Sequence, residues 1–324
     1  NGSLDLAKTL IEEAKASGAN CAKFQMRQIN AIYANQGNPN DVNEDLGAQY
    51  VLDLLSKFSL SNEEMIAAFD YCKELGMLPL CTPWDKESLA LLENYGMAAY
   101  KIGSPDLTNL GLLGDIVATN KPIILSTGMS TETEIRQTVS FLKEEAANFV
   151  LLHCNSTYPT PFKDIQLNYM KRLKEIGDCQ VGYSGHERGI STPIAAVALG
   201  ARVIEKHLTL DKKMEGNDHK VSLLPSEFAY MVEGIRAVEA AMGGQERREI
   251  TQGEMMNREI LAKSVVAKTA IKTGDLITRA MVDIRSPGKG MQPNRLGELI
   301  GRAATRNMGA GGFFFPSDLS STVS

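Results

Sequence analysis

The chain reads as an α/β protein, a (β/α)8 barrel followed by a small β-rich module. Three observations predict this. Seven strand-like runs alternate with eight helical runs through residues 1–242, polar and chemically active side chains recur at the C-terminal ends of the strand-like runs, and a polar, glycine-led stretch at 243–248 precedes short segments punctuated by Gly and Pro. Strict alternation of the two periodicities requires crossovers, and crossovers make a parallel sheet. At 324 residues the chain is long enough for a large domain and a small one.

The first helix spans 4–17, where Leu6, Leu10, Ile11 and Ala14 recur at helical spacing between a Ser3 cap and a Gly18 stop. Strand-like runs follow at 20–25, 78–83, 98–104, 122–128, 149–156, 179–186 and 202–210. Helical runs lie between and after them at 62–75, 86–95, 107–119, 132–147, 165–176, 190–200 and 226–242. Because a helix comes first, an eight-stranded barrel needs a further strand ahead of Asn1. Residues 26–60, rich in Asn, Gln and Gly, are too long for a plain connector and read as a functional loop after the strand bearing Lys23. The barrel is expected over 1–242, a linker over 243–259 and the compact module over 260–324.

One stretch organises the chemistry. Residues 201–207 alternate with a period of two, so Val203, Glu205 and His207 share one face. The Ala-rich run 190–200, with Ser191 or Thr192 as cap and Gly200 as stop, is a crossover helix, which makes the strands on either side parallel neighbours. His186 and His207, two of only four histidines, therefore come to the same C-terminal edge of the sheet. A lone histidine is more often a core or capping residue, but a pair at matched strand ends points to a metal site.

Composition narrows the function classes. Lys plus Arg number 34 against 39 Asp plus Glu, and a net charge of -5 argues against nucleic acid or an anionic membrane as the main partner. No apolar run is long enough to span a bilayer and no signal sequence is visible. The cysteines Cys21, Cys72, Cys81, Cys154 and Cys179 lack CxxC spacing and lie in or beside apolar runs, as expected of reduced, buried thiols in a cytoplasm.

Barrel enzymes place their chemistry at the C-terminal strand ends. Those ends bear Lys23 and Gln25, Thr82, Lys101 with Ser104 and Asp106, Ser126 and Thr127, Asn155 with Ser156 and Tyr158, Ser184 and His186, and Glu205 with His207. Two lysines and several hydroxyls around one mouth are donors for a phosphate or carboxylate. Lys101 stands inside the apolar run 98–103, so its ammonium needs an anionic partner. The turn Ser126-Thr127-Gly128-Met129-Ser130 could offer backbone N–H groups to an anion. Asp218, in a glycine turn beyond the last strand, could hold a polyhydroxyl ligand. Arg285, before Ser286-Pro287-Gly288, is either a surface charge, the commonest fate of an arginine, or a guanidinium that the rigid Pro-Gly turn holds out towards another subunit or domain.

With these residues in view the chain resembles the sialic acid (N-acetylneuraminate) synthases and their relatives that make legionaminic or pseudaminic acid. The resemblance runs from Asn1 to about Leu319 and rests on Ala22-Lys23-Phe24-Gln25, Cys81-Thr82-Pro83, Lys101-Ile102-Gly103-Ser104, Leu125-Ser126-Thr127-Gly128-Met129, His153-Cys154-Asn155-Ser156-Thr157-Tyr158-Pro159, Gly182-Tyr183-Ser184-Gly185-His186, Glu205-Lys206-His207 and Asp218-His219. It implies a TIM barrel followed by an antifreeze-like (SAF) domain, and a metal-dependent condensation of phosphoenolpyruvate with an N-acylated mannosamine-type aldehyde. By that resemblance Lys23, Thr82, Lys101, Ser104, Ser126, Ser156 and Ser184 hold phosphoenolpyruvate, and Gln25, Tyr158, Asp218 and Arg285 face the sugar. His186 and His207 would bind a divalent ion, manganese first with magnesium or cobalt as alternatives, while Glu205 or Asp106 steers water to the developing positive charge. Pro105-Asp106 stands where the family usually has Gly-Glu, one methylene longer. Arg285 would act from the partner subunit of a domain-swapped homodimer. Rival expectations are a phosphoenolpyruvate-dependent aldol synthase using a sugar phosphate, and a non-catalytic sugar- or ice-binding protein.

Overall fold

The structure is a computed structural model that describes residues 2–32, 55–216, 218–244 and 246–319. It divides into two compact units, Asn1–Gly243 and Gly244–Ser324. In the first, α1 (Leu4–Ala16), β1 (Cys21–Met26), α2 (Asn62–Glu74), β2 (Leu78–Pro83), α3 (Lys86–Tyr95), β3 (Tyr100–Ile102), α4 (Leu110–Val117) and β4 (Ile123–Ser126) follow in order. Then come α5 (Glu132–Glu144), β5 (Phe149–Cys154), α6 (Tyr169–Gly177), β6 (Val181–Gly185), α7 (Ser191–Ala198), β7 (Ile204–Lys206) and α8 (Pro225–Met242). All seven strands are parallel and neighbour one another in chain order.

The helices start where side chains can satisfy their first N–H groups. Ser3 accepts from the Leu6 N–H at 3.3 Å, and Ser61 with Glu64 and Thr131 with Glu134 form reciprocal capping boxes. Two details differ from the sequence pattern. The crossover α7 begins at Ser191 with Ile190 in the cap position and no side-chain cap, so neither Ser191 nor Thr192 caps it. The run 165–176 is broken: a helical turn Phe162–Ile165 stops at Gln166, whose φ of 50° is left-handed, and α6 starts only at Tyr169. Apolar spacing continued across that break, which is why periodicity alone missed it.

Register decides which side chains share the interior. Gln25 pairs with Thr82, Lys101 with Ile124, Ser126 with Leu152, Cys154 with Ser184, and Ser184 with Glu205. Since alternation is strict, Lys23, Gln25, Thr82, Lys101, Ser126, Cys154, Ser184 and Glu205 occupy one face. The opposite face carries Cys81, Tyr100, Ile102, Ile123, Leu125, Leu151, Val181 and Tyr183, which form the main core with Leu92, Leu113, Ile116, Leu142 and Leu173 of the surrounding helices. The sheet is curled: β1 and β7 are its two ends, yet Lys23 Nζ reaches Glu205 Oε1 at 2.9 Å. The eighth strand expected ahead of Asn1 and residues 33–54 of the expected functional loop lie outside the described residues. No helix among the described residues is long and apolar enough to cross a membrane.

The second unit holds α9 (Gln252–Leu261) and an antiparallel pair, β8 (Ser264–Ala267) with β9 (Val282–Arg285). Helix α9 begins in the stretch expected as linker and runs two residues into the expected module, started by a capping box of Thr251 and Glu254. Isolated bridges Val266–Phe313, Ile271–Met308 and Leu276–Ala303 extend the strand pairing around a core of Val265, Ile271, Ile277, Val282, Leu299 and Phe314.

Candidate active site

The polar inner face condenses into a charged cluster at the C-terminal ends of β1, β3 and β7. Lys101 is 2% exposed, and its Nζ donates to the Ile102 carbonyl at 2.8 Å and to Ser126 Oγ at 2.6 Å while lying 3.8 Å from Glu205 Oε2. Glu205 Oε1 accepts from Lys23 at 2.9 Å and from Ser184 Oγ at 3.4 Å. One carboxylate thus serves two ammonium groups. Burial pushes Lys101 down to about 8, against the pull of Glu205 and with the push of Lys23. Burial disfavours the ionised form of Glu205 too, but Lys101 and Lys23 outweigh it and hold this carboxyl far below the usual range. The partner that Lys101 required by its sequence setting is therefore Glu205, from the far end of the sheet.

Beside this cluster the hydroxyl ring closes. Gly128 N–H donates to Ser104 Oγ at 3.1 Å, and a side chain at 128 would collide with the hydroxyls of Ser104 and Ser156. The absence of a Cβ is what lets those two hydroxyls and Cys154 converge. Within the turn 126–130, the Gly128 N–H serves Ser104 and the Thr127 N–H serves the Leu152 carbonyl at 3.0 Å, so these two N–H groups are already engaged. Thr82 is buried at the register position beside Gln25.

The histidines meet as expected. Their ring centroids lie 5.3 Å apart, nearly perpendicular at 83°, with the Tyr158 ring 4.2 Å from that of His186. His186 Nδ1 faces the Asn155 carbonyl at 2.7 Å and His207 Nδ1 lies 3.5 Å from Asp218 Oδ2. An imidazole whose Nδ1–H is held by a carbonyl or carboxylate keeps Nε2 as a lone-pair donor, the outer arrangement typical of metal-ligating histidines. Burial keeps His207 neutral by lowering its pKa, aided by Lys23 and His186 against Asp218. For His186 burial acts the same way, but contact with Cys154 overrides it and raises the pKa. The donor set suits a divalent ion taking two imidazoles and leaving positions for water and substrate. Among the described residues no group of three His, Cys, Asp or Glu side chains is arranged to hold a metal.

The remaining predicted residues are less closely joined. Asp106 ends a 3₁₀ turn, Ser104–Asp106; its Oδ1 accepts from Asn109 at 3.0 Å and its buried Oδ2 has no hydrogen-bond partner among the described residues. Burial raises its pKa against the Asn109 bond. Asp106 bonds Asn109 whereas Glu205 bonds Lys23 and Ser184 and faces Lys101, so the two carboxylates offered as alternatives for one role occupy different surroundings. Gln25 accepts from Trp84 Nε1 at 3.2 Å, and the Arg27 guanidinium lies 4.6 Å from the Trp84 ring. Arg285 belongs to the second unit, exposed and paired with Asp283 at 3.0 Å.

Three features escaped sequence reasoning. Cys154, read as a small buried hydrophobe, is an interior thiol 3.7 Å from Ser104 Oγ and 3.8 Å from His186 Nδ1. Its strand parity with Ser126 and Ser184 was the available signal. Trp84 and Arg27 frame Gln25 from two strand ends, a contact visible only once β1 and β2 pair. Glu187 and Lys206 form a wholly buried ion pair at 3.0 Å behind the histidines.

The family model described as NeuB matches residues 10–247, and that of the SAF domain matches residues 262–320. The chain is 39% identical over 312 residues to the N,N'-diacetyllegionaminic acid synthase of Campylobacter jejuni, covering 95% of this chain and 93% of that one. It is 33% identical over 305 residues to the human N-acetylneuraminate-9-phosphate synthase, covering 93% and 84%. Among solved structures, the N-acetylneuraminic acid (sialic acid) synthetase of Leptospira borgpetersenii matches with a TM-score of 0.71 at 30% identity, over 79% of this chain and 85% of that one. With two matching models in the order barrel then module, the chain belongs to the NeuB family and carries a SAF domain at its C-terminal end.

Proposed function

We propose that this protein is a transferase that condenses phosphoenolpyruvate with N-acetylmannosamine or a related N-acylated hexose, releasing phosphate and forming a nine-carbon 2-keto acid. The observation that carries the reading is the excess of positive charge at the mouth, where Glu205 faces both Lys23 and Lys101. An anionic substrate complements that excess, with Ser104, Ser126, Ser156, Ser184 and Thr82 as further donors. The histidine pair is the place for the divalent ion on which this chemistry depends, manganese being our choice. When bound, such an ion supplies Lewis-acid polarisation of the sugar's aldehyde oxygen.

The protein's own groups account for the rest. Lys23 and Lys101 hold the phosphate and carboxylate of phosphoenolpyruvate so that its C3 faces the aldehyde carbon; the C3–C1 bond forms at the expense of the aldehyde C=O π bond, and the resulting alkoxide takes a proton from solvent water. Positive charge then develops at C2. Glu205 is tied to both lysines, so its part is to set their positions; Asp106, whose buried Oδ2 has no hydrogen-bond partner among the described residues, is the carboxylate left to accept a proton from the water that adds to C2. Cleavage of the bond from C2 to the phosphate oxygen completes the reaction. Gln25, Tyr158 and Asp218 bind the sugar, and Arg285 reaches its N-acyl group from a partner subunit in a domain-swapped dimer. The five free cysteines accord with a cytoplasmic setting.

The test is to incubate the protein with manganese, phosphoenolpyruvate and a panel of N-acylated hexosamines, following phosphate release and product mass. One sugar of the panel should give stoichiometric phosphate and keto acid. Phosphoenolpyruvate binding without turnover on any of them would instead favour an aldol synthase for a sugar phosphate, and binding of neither would sink the enzymatic reading.

A further inference from the structure

The ion pair behind the histidines takes no part in the chemistry above, yet both its side chains are wholly buried. On β7, Glu205 and His207 face the interior, so Lys206 between them faces the helices. Its Nζ donates to the Glu187 carbonyl at 2.7 Å and to Glu187 Oε1 at 3.0 Å, and Tyr183 on β6 donates its hydroxyl to Glu187 Oε2 at 2.6 Å. The carboxylate folds back into the place a side chain at 185 would fill: a Cβ on Gly185 would meet Glu187 Oε2 and Tyr183 Cε1, each at 2.7 Å. Gly185 is also the register partner of Lys206.

Each member of the pair is the immediate chain neighbour of a histidine, Glu187 of His186 and Lys206 of His207. Buried ion pairs gain little net stability, because desolvation offsets attraction, and their better attested use is to fix one arrangement among several. Here the arrangement fixed is that of two strand ends just beyond the last β6–β7 pairing, Gly185 with Lys206. We propose that Glu187 and Lys206 are positioning residues that clamp the ends of β6 and β7 and so set the separation and mutual orientation of the His186 and His207 rings for a divalent ion. The clamp tunes metal affinity without touching the metal. This rests on the reading of the histidine pair as the metal site.

The experiment measures manganese binding by titration calorimetry without substrates, phosphoenolpyruvate binding separately, and the melting temperature, in the full chain. The variants are Glu187→Gln, Lys206→Met, the double variant of both, and Tyr183→Phe as the mildest change that still loosens the carboxylate. Leu92→Ala, which opens a cavity in the core where α3 packs on β2, is the control for destabilisation alone. The expected result is manganese affinity about tenfold weaker in Glu187→Gln and Lys206→Met and severalfold weaker in Tyr183→Phe, in line with other residues that orient metal ligands. Phosphoenolpyruvate affinity stays unchanged, and the double variant regains melting temperature but not manganese affinity. Unchanged manganese affinity overturns the proposal, and so does affinity that merely follows melting temperature, with Leu92→Ala on the same line. If the parent protein binds no manganese, or His186→Ala and His207→Ala bind it as the parent does, the metal reading itself fails and the clamp has nothing to position.

Discussion

The two faces of β7 carry buried charge of opposite kinds. Outward, Lys206 meets one carboxylate, and the pair is neutral, buried and closed by Tyr183. Inward, Glu205 meets two lysines, its side chain remains 16% exposed, and a positive charge is left over. A balanced pair sealed from water can only hold structure; an unbalanced one open to solvent is poised for a ligand of the missing sign. Adjacent residues of one strand thus separate holding from binding.

Substitution of the two lysines breaks the comparison most directly. Lys206→Met strands a buried carboxylate and should cost roughly 3–5 kcal/mol of stability in denaturant titrations. Lys101→Met leaves Glu205 still paired with Lys23, so the fold should persist while the rate of phosphate release falls roughly 10²–10³-fold, as for loss of one electrostatic donor. If the first variant lost only activity and the second only stability, the assignment of the two faces would be reversed.

Metal removal comes next. Chelation should abolish phosphate release and manganese restore it, whereas His207→Ala should bind manganese at least about a hundredfold more weakly with phosphoenolpyruvate affinity kept. Restoration of the variant by ordinary manganese concentrations would remove His207 from the site.

A smaller effect lies in pH. Lys101, lowered to about 8, holds an anion only when protonated, so phosphoenolpyruvate affinity should be level below that pH and fall above it, approaching about tenfold per unit. Stability of the free protein should respond with the opposite sign. Between about 8 and the unfolded lysine value of about 10.4 the unfolded chain binds the extra proton, so this group's contribution rises with pH. An affinity that ignores pH across this window would mean that Lys101 does not contact the ligand.

The smallest expected change is at Arg285, exposed and paired with Asp283. Arg285→Ala should leave the melting temperature unchanged, because exposed pairs contribute little. It should raise the KM for the sugar while that for phosphoenolpyruvate stays. An unaltered KM would confine the reading of Arg285 to a surface charge.

Much of this was legible in the sequence because strand and helix periodicities are local. Alternation within residues 201–207 placed Glu205 and His207 together, and the crossover brought His186 to the same edge. Strand limits were less legible: the run 98–104 yields a ladder of only Tyr100–Ile102, because Ser104 turns into a 3₁₀ segment. The Thr251–Glu254 box was a local signal that the glycine-led composition before it obscured.

Sequence alone determined the order of elements, the face each inner residue occupies and the need of Lys101 for an anion. Only the tertiary structure decided that this anion is Glu205, shared with Lys23, because the contact joins the two end strands of the seven-stranded sheet and depends on its curl. It likewise made Gly128 and Gly185 receptacles for side chains distant on the inner face or near in chain, and turned Glu187 and Lys206 from two unremarked charges into one buried pair. Periodicity fixes direction relative to a residue's own strand, whereas partnership across a barrel depends on closure, which no local stretch encodes.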